Sequence, residues 1–328
     1  MFRCLCVSGY GDSIDRSGRA ARGSDSSILL QMRTLGFSQD LRLHDGNRVK
    51  KWVSDMSYHQ TGSGGPGHEV CQYEGSRLWF RGARRVLDQP YAACVGGDET
   101  FGRFVDRPFS AILEDRLERR VLNFGCLFSG VDALCDDRGV CNLLRGADLC
   151  VMQAPGLLGQ SNQFYRVHSR RNDRFLAPTK DLISLYPEID FTEVHFVRHL
   201  MTCLQKVRDA RIEVVLDELR RNWVRKIGDF LQGLETPVIL LRLQVLRGEQ
   251  GAHHIDFADV DVTDQMIQFV GKSCTDIVDV KTHVCGQSDE IEDMLFGTLQ
   301  QPMAEHMIGP AAHRAIAAAL MRPIRNLH

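Results

Sequence analysis

Residues 91–102 read YAACVGGDETFG, a short apolar run that ends in two glycines, followed by polar residues and a third glycine. A run without polar alternation suits a strand buried on both faces, and glycines at its end let the chain turn at once into a helix. Backbone N–H groups at the head of that helix are placed to meet a ligand. With Asp98 or Thr100 as the helix cap, the same residues also make an ordinary tight turn.

Working outward, comparable apolar runs stand at 121–125 (VLNFG), 147–154 (ADLCVMQA), 237–243 (PVILLRL) and, more weakly, 275–280. Between them lie stretches of helical period. Residues 103–119 place apolar side chains at 104, 105, 109, 112, 113 and 117. Residues 131–145 are short-helical, and 191–207 and 212–234 read as two helices, the second with Val215, Leu219, Trp223, Ile227 and Phe230 on one face. Residues 263–271 form a short helix, and PAAHRAIAAALM at 310–321 a last one, with Pro310 in its first turn and Pro323 at its end. Residues 156–190 and 248–261 look like loops. Strands alternating with helices predict right-handed βαβ units: an α/β protein, three-layer α/β/α, with a parallel sheet of about five strands and a helical insertion, 156–235, between strands 3 and 4. In such sheets ligands bind beyond the carboxyl ends of the strands, so the loops at 96–102, 125–130 and 155–175 and the segment before the last helix are the ones that matter.

The chain has 328 residues, 40 Lys+Arg, 42 Asp+Glu and 43% hydrophobic residues, enough for a sizeable core. Its net charge of −2 argues against a sequence-independent grip on nucleic acid, and no apolar run is long enough to cross a bilayer. Residues 1–55 carry nine Lys/Arg against six Asp/Glu, while 56–328 carry 31 against 36. The first stretch lacks sustained periodicity and is Ser/Arg/Gly-rich at 13–27, as a poorly ordered leader or an over-extended start before Met56 would be. Residues 56–90 read as a Gly-rich linker and arm, and 91–328 as a single domain. The 11 cysteines are scattered without a C-x-x-C pair, which predicts free thiols in a reducing cytoplasm. Neither a cofactor nor a metal is expected.

Gly96-Gly97-Asp98-Glu99-Thr100-Phe101-Gly102 resembles the first block, G-D-S-x-T-x-G, of the SGNH/GDSL hydrolases, with Asp98 where those enzymes carry the nucleophilic serine. Asn123-Phe124-Gly125 matches their second block, N-x-G. The third block, G-x-N-D, fails: Gly156-Leu157-Leu158-Gly159 has no Asn before Asn162. The D-x-x-H element is represented by Met303-Ala304-Glu305-His306, with a second His, His313, inside the last helix. The resemblance implies an SGNH/flavodoxin-like fold, backbone donors at Gly97 and Gly125, Asp98 and Thr100 in the catalytic loop, Asn123 as a ligand-facing residue, and His306 or His313 as base. A closer resemblance covers almost all of 56–320. The runs LWFRGARR, VGGDETFGRFVDRPF, VLNFGCLFSGVDAL, SNQFYRVHSRRNDRFL, YPEIDFTEVHFVRHL and GPAAHRAIAAAL are similar to an uncharacterised bacterial family, domain of unknown function 6473.

The run SNQFYRVHSRRNDR at 161–174 holds Arg166, Arg170, Arg171 and Arg174 with His168. Planar guanidinium forks suit carboxylate, phosphate or sulfate; a solvated surface run is the plainer reading. His195 and His199, at i and i+4 of the expected helix with Arg198 between them, share one face, a metal-like spacing that lacks the H-E-x-x-H context. A literal G-D-S at Gly11-Asp12-Ser13 lacks the helix that should follow it, and His253-His254 lies in a polar loop.

Two functional classes fit these residues. One is a hydrolase or transferase acting on an esterified or anionic carbohydrate, with Asp98 attacking as a carboxylate or serving as general base. The other is a non-catalytic binding protein, a degenerate hydrolase, that holds an anionic ligand through loop 166–174, with Asn162, Arg166, His168, Arg170, Arg171, His195 and Arg198 lining its site. Both take a small-molecule or glycan ligand, and neither nucleic acid nor a membrane. The first class predicts that 98, 100, 125, 162, 195 and 306 or 313 share one pocket.

Overall fold

The computed structural model describes residues 69–207, 210–246 and 261–327, which begin with a short antiparallel hairpin, β1 (Val70–Cys71) and β2 (Phe80–Arg81). The hairpin is fastened by aromatic side chains. Phe124 makes edge contacts with Tyr73, Phe80 and Tyr91 at ring separations of 5.4, 5.5 and 6.3 Å, each worth about 0.5–1.5 kcal/mol beyond area burial. The readings of the 1–55 leader, of residues 56–67, of the polar loop at 248–260, and of Ser13 and His253-His254 lie outside the described residues.

The apolar runs become five parallel strands: β3 (Ala92–Gly96), β4 (Val121–Gly125), β5 (Leu149–Gln153), β8 (Val238–Leu246) and β9 (Asp276–His283), in the order β4-β3-β5-β8-β9. From β3 the chain first steps outward to β4, then returns to β3's other side for β5 and continues in that direction. The switch point therefore lies between the carboxyl ends of β3 and β5, where open α/β sheets place their ligands.

Alternate residues of each strand feed two cores. Ala93, Val95, Phe124, Cys150, Met152 and Leu240 face the layer of α3 (Val131–Cys135), α4 (Arg138–Arg145), α7 (Arg211–Gln232) and α8 (Asp264–Val270). Ala92, Cys94, Val151, Ile239, Leu241 and Val278 face α2 (Phe109–Leu117) and α10 (Pro310–Arg325). Burial on both faces is why β3, β4 and β5 read as continuous apolar runs, while the edge strand β9 alternates. The architecture is three-layer α/β/α, as the alternation predicts. The nine described cysteines are free thiols, and no described helix is long and apolar enough to cross a membrane.

Several local expectations are corrected. Residues 103–119 are not one helix: a single turn, α1 (Asp98–Phe101), is followed by a bend and then α2, whose N-cap is Pro108. Proline disfavours helical backbone in the residue before it, so the two cannot run together. Residues 131–145 break at Asp137, which caps α4 by accepting the Val140 N–H. The supposed loop 156–190 contains a hairpin, β6 (Tyr165–Val167) with β7 (Phe175–Pro178), and then α5 (Lys180–Leu185). The helix expected from 191 begins later, as α6 (Val197–Lys206), because Phe196 is bridged to Arg174 in extended backbone. A short α9 (Gln301–Ala304) precedes α10, which runs through Pro323 to bury Ile324 in the core beside α2.

Candidate functional site

Asp98 opens α1 directly beyond β3, above the switch point. Its carboxyl is held from one side: Oδ2 accepts the Phe128 backbone N–H at 2.9 Å, while Oδ1 is closed off from solvent and has no hydrogen-bond partner among the described residues. Burial, with the neighbouring Glu99 charge, pushes the Asp98 pKa up to about 7; the Phe128 N–H and Arg103 oppose that rise, and Asp173 adds to it. At neutral pH this carboxyl is divided between its acid and base forms, the condition for moving a proton in either direction.

Phe128 sits in left-handed backbone, φ 59°, which a bulky side chain adopts only when its surroundings impose it. Three contacts do so. Its N–H goes to Asp98, its carbonyl accepts the Asn172 N–H at 2.9 Å, and the Arg171 guanidinium lies 4.2 Å from its ring centroid. Asn172, 1% exposed, ties the loop down further: its Oδ1 accepts the N–H groups of Gly130 and Ala133, both at 2.9 Å, and its Nδ2 donates to the His168 carbonyl. The Arg-rich run is thus welded to the loop that follows β4.

On the other side of α1 stands Gln153, the last residue of β5. Its Oε1 accepts from the Thr100 N–H and Oγ1, at 3.1 and 2.5 Å, and its Nε2 donates to Glu99 Oε2 at 2.8 Å. A methyl at Gly96 would meet Thr100 Oγ1 at 2.3 Å and Gln153 Oε1 at 2.6 Å, so only glycine leaves room for this crossing. Asn123 braces α1 from β4: its Nδ2 donates to the Thr100 carbonyl and to Ser110 Oγ, while its Oδ1 accepts the Gly125 N–H at 2.8 Å. That bond occupies the Gly125 N–H expected as an oxyanion donor. The backbone donor presented to Asp98 belongs to Phe128 instead.

The structure brings Gly97, Asp98, Thr100, Asn123 and Gly125 together around α1, with Arg171 reaching them through Phe128. His168 sits in the same strap, where its Nδ1 accepts the N–H groups of Arg170 and Arg171; burial and these arginines lower its pKa. The other expected residues are placed elsewhere. Asn162 makes a local turn, accepting from the Phe164 and Tyr165 N–H groups and donating to the Gln160 carbonyl. Arg166 is exposed and folds back onto the carbonyls of Asn162 and Tyr165. His195 precedes α6 instead of lying on it, so the shared helix face with His199 does not form; His195, Arg198 and His199 are all exposed.

None of the groups that act on the Asp98 charge is a histidine. His306 is exposed in the turn before α10. His313 is fully buried, stacked on Phe109 at 6.0 Å, with Nδ1 accepting the Phe109 N–H at 3.1 Å. Burial, helped by Arg81, drives its pKa down to about 3, so it is a neutral core residue at physiological pH. Of the residues 98, 100, 125, 162, 195 and 306 or 313 expected to share one pocket, only the first three lie together. Among the described residues, no group of three or more His, Cys, Asp or Glu side chains is placed to hold a metal.

The strand order is flavodoxin-like, and the Asp98 carboxyl stands at its switch point, in a three-layer α/β/α protein. The chain belongs to the family described as Domain of unknown function (DUF6473), which matches residues 56–328. No curated protein matches it in sequence. Among solved structures it is similar to LAE5, an α/β hydrolase from the metagenome of Lake Arreo, at 16% identity and a TM-score of 0.38, over 73% of this chain and 96% of that one. It is also similar to a catalytic mutant of the acetylxylan esterase Axe2 from Geobacillus stearothermophilus, at 15% identity and TM-score 0.36, over 72% and 94%. A third is the lipase Lip_vut3 from a goat rumen metagenome, at 11% identity and TM-score 0.34, over 72% and 97%.

Proposed function

We propose that this protein is an SGNH-like hydrolase or transferase in which Asp98 is the acid–base group, acting on an ester of a carbohydrate. The observation that carries the reading is the Asp98 carboxyl itself. It stands at the switch point, Oδ2 is fixed by the Phe128 N–H, Oδ1 is bare, and its pKa is about 7. The ester class follows from the motif resemblance at 96–102 and 123–125.

In this reading the ionised Oδ1 takes a proton from water or a sugar hydroxyl as that oxygen attacks the ester carbonyl. The resulting carboxylic acid returns the proton to the leaving alkoxide, so Asp98 ends as it began. The Phe128 N–H stays on Oδ2 throughout and, with Arg103 nearby, supports the ionised form. Because Oδ1 is inaccessible in the structure, substrate entry has to displace one of the side chains around it. The anion-binding alternative is less well supported, since Arg171 is paired with Asp173 at 2.9 Å, Arg174 lies over Phe196 and Arg166 serves its own backbone. The test is turnover of a panel of acyl-sugar and glycan esters by the wild type and Asp98→Ala. Hydrolysis lost in the variant supports the reading, and equal rates remove it.

A further inference from the structure

Gln153 does more than cap α1. It is 7% exposed, and its side chain crosses the end of β3 through the space that Gly96 keeps clear. A cap needs only the amide oxygen, and that oxygen does serve the Thr100 N–H and hydroxyl. The amide nitrogen is directed to the carboxylate next to Asp98 in the chain, Glu99 Oε2, at 2.8 Å. We propose that Gln153 is a positioning residue of the Asp98 site, holding the Glu99 carboxylate beside Asp98 on the one helical turn that carries both.

Two carboxylates kept close disfavour simultaneous ionisation, so Glu99 is the lever through which Gln153 acts on Asp98. The other charged groups facing Asp98 are Arg103, from the bend after α1, and Asp173, from the Arg-rich strap, with Arg171 near Arg103. The bonds of Gln153 run instead to Glu99 and Thr100. The proposal rests on Asp98 being the acid–base group. Its test, however, reads the carboxyl's own titration without substrate, so absence of turnover would sink the functional reading and leave this one standing.

The experiment is the pH titration of the Asp98 carboxyl carbon by ¹³C NMR in the full chain, with the signal assigned through its loss in Asp98→Asn. Wild type is compared with Gln153→Met, Glu99→Gln and the double variant. Glu99→Gln is expected to lower the Asp98 midpoint by about one pH unit. Gln153→Met is expected to lower it in the same direction, and the double variant to go no lower than Glu99→Gln alone. An unmoved midpoint in Glu99→Gln overturns the proposal. So does a Gln153→Met shift that persists undiminished in the Glu99→Gln background, since Gln153 would then act by another route. Should Gln153→Met not fold, Gln153→Asn, whose shorter amide cannot span from Thr100 to Glu99, replaces it in the same cycle.

Discussion

Asp98 Oδ2 and the Phe128 backbone N–H meet at 2.9 Å across the crevice between two βα loops, joining an acid of raised pKa to a residue in left-handed backbone. Burial of this carboxyl, with Glu99 beside it in the chain and against the pull of the Phe128 N–H, makes stability depend on pH. Asp98 titrates near 7 in the folded protein against 3.8 when unperturbed, so the folded state binds more protons between those values. Its contribution is fully present below about pH 4 and is lost as pH rises through 7, with a ceiling on the order of 4 kcal/mol. Asp98→Asn keeps an acceptor for the Phe128 N–H and abolishes the titration. Urea denaturation from pH 5 to 8 should show the wild type steadily losing stability relative to the variant, with the variant more stable at pH 8 by roughly 1–3 kcal/mol.

His313 has the opposite sign. Its folded pKa of about 3 lies below the 6.5 of a free histidine, so the unfolded chain takes up the proton first as pH falls. The stability it contributes is present above 6.5 and drains away between 6.5 and 3. His313→Leu strands the buried Phe109 N–H and should cost about 1–3 kcal/mol at pH 7. Its loss of stability between pH 6.5 and 4 should nonetheless be shallower than the wild type's, as thermal melts across that range would record.

The sheet was readable from sequence for a physical reason: strands covered on both faces, such as β3, β4 and β5, leave unbroken apolar runs, whereas the half-exposed edge strand β9 left a weaker one that stops three residues short of its end. That Asp98, Thr100, Asn123 and Gly125 lie together where strands end was readable too, because glycines bracket them; the donor role expected of the Gly125 N–H was not, since Asn123 Oδ1 occupies it. Gln153 and Asn172 were not, since their partners Thr100 and Gly130 lie 53 and 42 residues away and neither pair leaves a local pattern. Phe128 was hidden by its own side chain, as nothing about phenylalanine announces positive φ. His313 did leave a sign. It shares a helical stripe with Ile316, Ala317, Leu320 and Ile324, the spacing of a core face instead of a catalytic one.

Glycine substitutions separate close approach from open space. A Cβ at Gly125 would meet the Phe101 backbone nitrogen at 2.2 Å, whereas one at Gly156 would meet nothing within 4 Å. Gly125→Ala has to push α1 off the sheet and should lose about 3 kcal/mol or more. Gly156→Ala should stay within about 0.5 kcal/mol of wild type in the same denaturation assay.

Asn172 anchors the strap to the head of α3. Asn172→Ala leaves the Gly130 and Ala133 N–H groups without their acceptor in a buried place, which costs about 2–4 kcal/mol for the two. Hydrogen exchange should accelerate at 128–133 in this variant, while protection of the β3 and β5 amides changes only by the global loss of stability.

If the ionised Asp98 carboxyl moves the proton in catalysis, the rate must follow its titration. The most direct measurement is kcat/KM against pH, from 5 to 9, on an ester identified in the panel, for wild type and Asp98→Asn. The wild-type rate should rise to a plateau with a midpoint near 7, matching the NMR titration of Asp98, and fall about 10²–10⁴-fold in a folded Asp98→Asn. An Asp98→Asn protein with the wild-type rate and profile would contradict that role for Asp98.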